Sequence, residues 1–263
     1  MPRFNPVVPR EHGGWMMLGV PLVTGAAAAP SFDPLWWSFF AAAWAVYLGR
    51  WPLMLLARQP AHPERARWLR WAAGYLLTAL ALGALLAARG RADLVAIGIL
   101  AALLLAVHLW LVSRRVEMTV AGELWGVAGL TLAAPASWYA ASGHWSPTAW
   151  GLYALNLAYF GATVFYVRVK VREQPKWPPD LAGPRRVLLG WKAWVPAASG
   201  VLAALLWAPL LGWPRAAGLA LLPGTIKAVA GAWMRPRRLV IARVGVVEVV
   251  MAALFGVLIV LIA

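Results

Sequence analysis

LVAIGILAALLLAVHLWLVSRR, residues 94–115, is a run of twenty mostly aliphatic residues closed by Arg114 and Arg115. About 20 helical residues cross the roughly 30 Å of bilayer hydrocarbon. A run continuous in Leu and Ala reads as a helix, because a barrel strand would alternate. The stretch is therefore a transmembrane helix with a basic end. The same unit recurs on both sides of it, at roughly 13–30, 35–57, 71–88, 118–141, 148–167, 194–212, 216–233 and 244–263. Turn and breaker residues separate the runs: Pro30 to Pro34, Pro60 with Pro63, Arg89-Gly90-Arg91, Ser142-Gly143, Pro175 with Pro178 and Pro179, and Trp213-Pro214. The chain is predicted to be all-α, a polytopic membrane bundle of about nine transmembrane helices in one domain over 1–263.

A net charge of +15 would suggest a nucleic-acid partner for a soluble protein. Here 62% hydrophobic residues and a mean hydropathy of +0.70 leave no polar surface for one. Membrane lipids are the expected partners instead. Of the 24 Lys and Arg residues, nineteen fall in alternate gaps: Arg3 and Arg10; Arg58 to Arg70; Arg114 and Arg115; Arg168 to Lys192; and Arg235 to Arg243. Only Arg89, Arg91 and Arg215 fall in the other gaps, while Arg50 and Lys227 lie inside spans. Cations are retained on the cytoplasmic side, so the N-terminus is predicted to be cytoplasmic and the C-terminus outside. The proline-rich start, lacking a cleavage pattern, reads as a cytoplasmic lead-in rather than a signal peptide. Many of the eighteen Trp residues stand near run ends, among them Trp36, Trp68, Trp71, Trp191 and Trp213, and read first as interfacial anchors. With no cysteine, disulfides, zinc-thiolate sites and thiol nucleophiles are excluded. No cofactor or metal is predicted, and His108 and His144 stand without metal-ligand spacing.

Sliding the chain by 112 residues places Glu11 on Glu123, Gly14 on Gly126, Tyr47 on Tyr159 and Gly49 on Gly161. A shift of 123 then places Trp68 on Trp191, Trp71 on Trp194, and Arg114-Arg115 on Arg237-Arg238. The expectation is a four-plus-four tandem repeat, about 11–115 and 123–238, with an added helix at about 244–263. Units with an even number of helices share one topology and are related by an axis along the membrane normal.

The chain has nine acidic residues, so each is informative. Glu11, Glu123 and Glu248 stand at or just inside the cytoplasmic starts of helices one, five and nine, where a helix dipole favours an anion. Deeper in an apolar run, a charge usually faces a bundle interior or a wet cavity. The sharpest local signal is Tyr159, Thr163, Tyr166, Lys170 and Glu173, spaced four, three, four and three along helix six. One polar stripe at that spacing is expected to line the bundle interior and to open onto Arg168, Lys170 and Arg172. Its counterpart on helix two is Tyr47, Trp51, Met54 and Arg58, with Arg50 adjacent. Together these ends suit a phosphate or an anionic headgroup. Lys227, within helix eight, is expected to pair with Glu123 or Glu248, and the sequence does not choose between them. His12, in Arg10-Glu11-His12-Gly13-Gly14-Trp15, stands where a glycine pair permits close approach of backbone or anion.

The stretches Pro9-Arg-Glu-His-Gly-Gly-Trp15 and Tyr166-Val-Arg-Val-Lys-Val-Arg-Glu173 resemble the YwiC-like family of bacterial integral membrane proteins. That resemblance implies a multi-pass protein of the bacterial plasma membrane and carries no assigned reaction. More distantly, the predicted architecture resembles the UbiA superfamily of intramembrane prenyltransferases, whose Asp-rich motifs on helices two and six hold magnesium and a prenyl diphosphate. Tyr47 to Arg58 has no acid at the first of these places, and Tyr166 to Glu173 has one acid beside the cations Arg168, Lys170 and Arg172 at the second. Oxygen ligands for magnesium are missing, so standard magnesium-dependent prenyl transfer is not expected. Three readings stay open: a protein binding an isoprenoid or phospholipid by its anionic head, a transporter of ions or small solutes using intramembrane Glu and Lys, and a scaffold of a membrane complex. Whether the protein is an enzyme is open as well.

Overall fold

The computed structural model describes residues 5–9, 12–234 and 241–263, with the side chains of His12 and Ile241 outside the description. Arg3, Arg10, Glu11, Arg235, Arg237 and Arg238 lie outside the described residues, and so does the repeat match to Arg114-Arg115. The described residues form α1 (His12–Ala27), α2 (Trp36–Arg58), α3 (Arg65–Ala88), α4 (Leu94–Ser113), α5 (Val120–Thr131), α6 (Ala133–Ser142), α7 (Pro147–Arg168), α8 (Gly183–Leu189), α9 (Trp191–Trp207), α10 (Leu222–Trp233) and α11 (Ile241–Ile262). There is no strand among them. Among the described residues, seven helical segments are long and apolar enough to cross a membrane. They contain α2, α3, α4, α7, α9, α10 and α11.

Two of the nine predicted spans take a different form. The first is short, with Gly13–Ala27 as its apolar part. The predicted span 118–141 is broken into α5 and α6 at Leu132. Pro135 explains the break: it has no N–H to donate to the carbonyl of Thr131, four residues earlier, where α5 ends. Proline also shapes other ends. Before Pro175, α7 widens into a π-helical turn, Val169–Glu173, and Pro214 precedes a 3₁₀ segment, Arg215–Leu221, that leads into α10.

Caps set two of the starts. The Thr119 hydroxyl accepts from the Gly122 N–H at 3.2 Å at the head of α5, and the Ser146 hydroxyl accepts from Thr148 before Pro147 opens α7. At the other end of α6, Gly143 adopts φ 80°, a left-handed stop that glycine takes without strain.

The main core forms around α7. Leu152, Leu155, Tyr159, Phe160 and Val164 pack against Val201 and Ala204 of α9, Ala217 and Leu221 of the 3₁₀ segment, and Ala252, Phe255 and Ile259 of α11. Tyr159 stacks on Phe255 with ring centroids 4.2 Å apart. A second contact set joins α1 and α2 to α6. The Trp36 indole N–H donates to Ser137 Oγ at 2.6 Å, and that hydroxyl donates to the Leu22 carbonyl at 2.6 Å, so one side chain ties three helices. Three of the Trp residues read as interfacial anchors, Trp36, Trp68 and Trp213, are core residues instead. Trp213 donates to the Thr148 carbonyl at 2.7 Å. Trp37 and Trp191 are exposed, as anchors require.

Candidate functional site

Two polar places lie inside the bundle. The first is where the α7 stripe meets α10 and α11. Tyr159, Thr163 and Tyr166 are buried, as their spacing predicts, and face α10. Glycines make that approach possible: a Cβ on Gly231 would lie 2.7 Å from the Tyr166 ring, and one on Gly224 would touch Tyr159. Lys227 donates to both carboxylate oxygens of Glu248 at 2.7 Å, which chooses Glu248 over Glu123 as its partner. The ammonium also stands 4.5 Å from the centre of the Tyr166 ring, a cation–π contact, and Thr163 reaches the same carboxylate. One turn on, Lys170 donates to the Gly231 carbonyl at 3.1 Å, and Gln174 donates to the same carbonyl at 2.9 Å. Gln174 was not singled out in the sequence.

This first place is closed. The void between α7, α9 and α10 is only about 10 Å³. Glu173 leaves the stripe because the π turn shifts it, and it pairs at 3.2 Å with Lys192. Arg168 and Arg172 turn the other way and donate to the Met118 carbonyl at the head of α5. Glu123 is the acid they act on, apart from Lys227 and Glu248.

The second place is a cavity of about 240 Å³ between α1, α2, α3, α4 and the α5–α6 pair. Its wall is almost wholly apolar: Leu18, Phe39, Ala79, Leu86, Ile97, Ala101 and Leu130 are typical. Polar groups are few, namely Tyr47, Arg50, His108 and Trp125. The Arg50 guanidinium lies 5.9 Å from the Tyr47 ring centre, and its Nε contacts Met54 Sδ at 3.3 Å, one turn nearer the end of α2. Tyr47 packs on α1, where a Cβ on Gly14 would overlap its hydroxyl. Arg58 closes α2 and pairs at 2.5 Å with the buried Glu117, tying that end to the α4–α5 connection.

Sequence reasoning set His108 aside, yet it is the residue that marks the cavity. It is 8% exposed and lines the wall, and neither ring nitrogen has a hydrogen-bond partner. Buried polar groups ordinarily find partners. Gly83 and Gly98, on α3 and α4, also line the space, and nothing lies within 4 Å of where their Cβ atoms would be. The fuller signal was therefore a histidine and a glycine on one apolar helix, α4, with a second glycine on the adjacent helix α3.

An all-helical bundle with seven membrane-length apolar segments and charged groups paired between helices defines a multi-pass membrane protein. Within that class, the model of the family described as YwiC-like protein matches residues 8–138, and over this region the chain is similar to that family. No curated protein and no solved structure matches the chain. The matched range contains every residue that lines the cavity, from Leu18 to Ala136.

Proposed function

We propose that this protein is a nine-span protein of the bacterial plasma membrane that takes a lipid into the cavity between α1 and α6. Its N-terminus is cytoplasmic, and α1 and the broken α5–α6 pair complete the set of crossings. The lipid is an isoprenoid or a phospholipid. Its apolar chain occupies the cavity, and its anionic head lies toward Arg50 at the basic end. The observation that carries this reading is the cavity itself: an apolar space of about 240 Å³ within a membrane bundle, with a cation at one end. Apolar cavities of this order stay dry and accept apolar ligands. Access runs between α3 and α4, which touch each other little and are each only 11% buried. Arg168, Lys170 and Arg172 add to the basic cytoplasmic face that draws anionic lipid, and the magnesium chemistry of prenyl transfer forms no part of this reading.

Mass spectrometry of lipids retained by the purified protein tests it, with Gly83→Leu and Gly98→Leu as the variants. A Cβ at either position meets nothing within 4 Å and both positions line the cavity, so leucine is expected to grow into that space with the fold retained. The expected result is an anionic lipid on the wild type that both variants lose. Wild type free of lipid, or variants that keep it, overturns the reading. One observation favours transport as the second reading: a Lys–Glu pair buried within spans. Proteoliposome flux abolished by Glu248→Gln would support it, and the closed packing around that pair is why it ranks second.

A further inference from the structure

The cavity reading leaves the two ring nitrogens of His108 without a role, and they limit what the cavity can hold. A neutral imidazole presents one donor and one acceptor. Burying such groups unpaired costs about 1–3 kcal/mol, and an apolar cavity supplies no ordered water to meet them. The ring lies beside α5, where its Cε1 would be 3.6 Å from a Cβ on Gly126. His108 is five residues from the end of α4 at Ser113, roughly 7–8 Å along the axis at about 1.5 Å per residue. Arg50 leans one turn toward the corresponding end of α2, and Arg50, Arg58 and Glu117 are the charges that act on the imidazole. The imidazole and the guanidinium therefore face the same end of the cavity.

We infer that His108 is the residue that selects the ligand's head: the cavity takes a lipid whose head places an oxygen within hydrogen-bond reach of the His108 imidazole. This rests on the lipid reading above and adds to it a chemical requirement, an oxygen held inside the hydrocarbon boundary. A pure hydrocarbon chain does not meet it. A phosphate oxygen or a hydroxyl does, and the two are separated by their dependence on charge.

The test uses the full protein in detergent micelles, titrated with farnesol and with farnesyl phosphate and read by native mass spectrometry. Histidine-selective ¹⁵N NMR runs in parallel, which is tractable because the chain has four His residues. His108→Leu is expected to weaken at least one of the two ligands about tenfold, the worth of one hydrogen bond to a buried group. That ligand should also shift the ¹⁵N signals that His108→Gln removes, while His62 and His144 stay unmoved. A loss confined to farnesyl phosphate identifies a phosphate oxygen, and a loss shared by farnesol identifies a hydroxyl. Binding unchanged in His108→Leu, with the ¹⁵N signals unmoved, overturns the inference. If Gly98→Leu abolishes binding in that case, the cavity reading survives without it, and if neither ligand binds the wild type, an isoprenoid occupant is ruled out and the inference falls with it.

Discussion

Both halves of the bundle bury polar side chains within their spans, but they satisfy them in opposite ways. Around α7, the charged groups close on another helix, Lys227 on Glu248 and on the Tyr166 ring, and Lys170 with Gln174 on the Gly231 carbonyl, while the Tyr159 hydroxyl is buried by ring stacking without a hydrogen bond. Around α4, the corresponding kinds of residue stand about an open space, with His108 unpartnered and Arg50 on the wall. Burial follows the same division, 56% of the α7 span against 11% of the α3 and α4 spans. A membrane bundle lacks a hydrophobic force to squeeze helices together, so close packing depends on small residues and polar ties. The C-terminal half has both at matching heights. In the N-terminal half, Gly83 and Gly98 face space rather than a neighbour, which is what a binding cavity requires and a structural core does not.

The largest effect that would break this contrast is at the ion pair. Lys227→Ala leaves the Glu248 carboxylate buried without its cation, and removing one member of a buried pair costs about 3–5 kcal/mol. Thermal unfolding of the purified protein should show that loss, and the double replacement Lys227→Met with Glu248→Leu should recover most of it. If the double variant is no better than the single one, the pair is not what closes α11 on α10. Next in size is Gly231→Ala, whose methyl would lie 2.7 Å from the Tyr166 ring. Overpacking of this kind costs about 1–3 kcal/mol, and a wild-type melting temperature would show that α7 and α10 are looser than described. Ser137→Ala should cost about 1–2 kcal/mol, because it leaves the Trp36 indole N–H and the Leu22 carbonyl without their shared partner. Unfolding that is unchanged by it would mean α1, α2 and α6 are held by packing alone.

How far these features were legible in the sequence depended on whether they repeat along the chain. The apolar runs and the stripe at Tyr159, Thr163 and Tyr166 recur at helical spacing, so their helices and their buried face could be read directly. Lys227 could be read as paired, but Glu123 and Glu248 are chemically the same residue, and only the approach of α11 to α10 selects one of them. The stripe's last member failed because Pro175 turns the helix end into a π turn, a local effect that spacing does not carry. His108 was hidden for a different reason: a single histidine on an apolar helix has no sequence pattern, and its meaning comes from three neighbouring helices that leave its nitrogens unmet. The tandem repeat expected from the sequence meets the same limit. Tyr47 and Tyr159 align, and both are buried, yet Tyr47 lies on Gly14 of α1 and Tyr159 on Gly224 of α10. Gly126, aligned with Gly14, faces His108 instead.

The smallest expected effect sharpens the comparison most. Gly98→Ala adds one methyl to a helix whose glycine costs about 1 kcal/mol relative to alanine, and that methyl meets nothing within 4 Å. The variant should therefore unfold no more easily than the wild type, and up to about 1 kcal/mol less easily, where the same replacement at Gly231 is costly. A methyl also leaves most of a 240 Å³ space, so lipid retention should persist in Gly98→Ala and fail in Gly98→Leu. A glycine maintained for tight packing would behave the other way, losing stability at the first added carbon. Destabilisation by Gly98→Ala would mean that α3 and α4 close on one another in the membrane, and the open half of the bundle would then resemble the closed one.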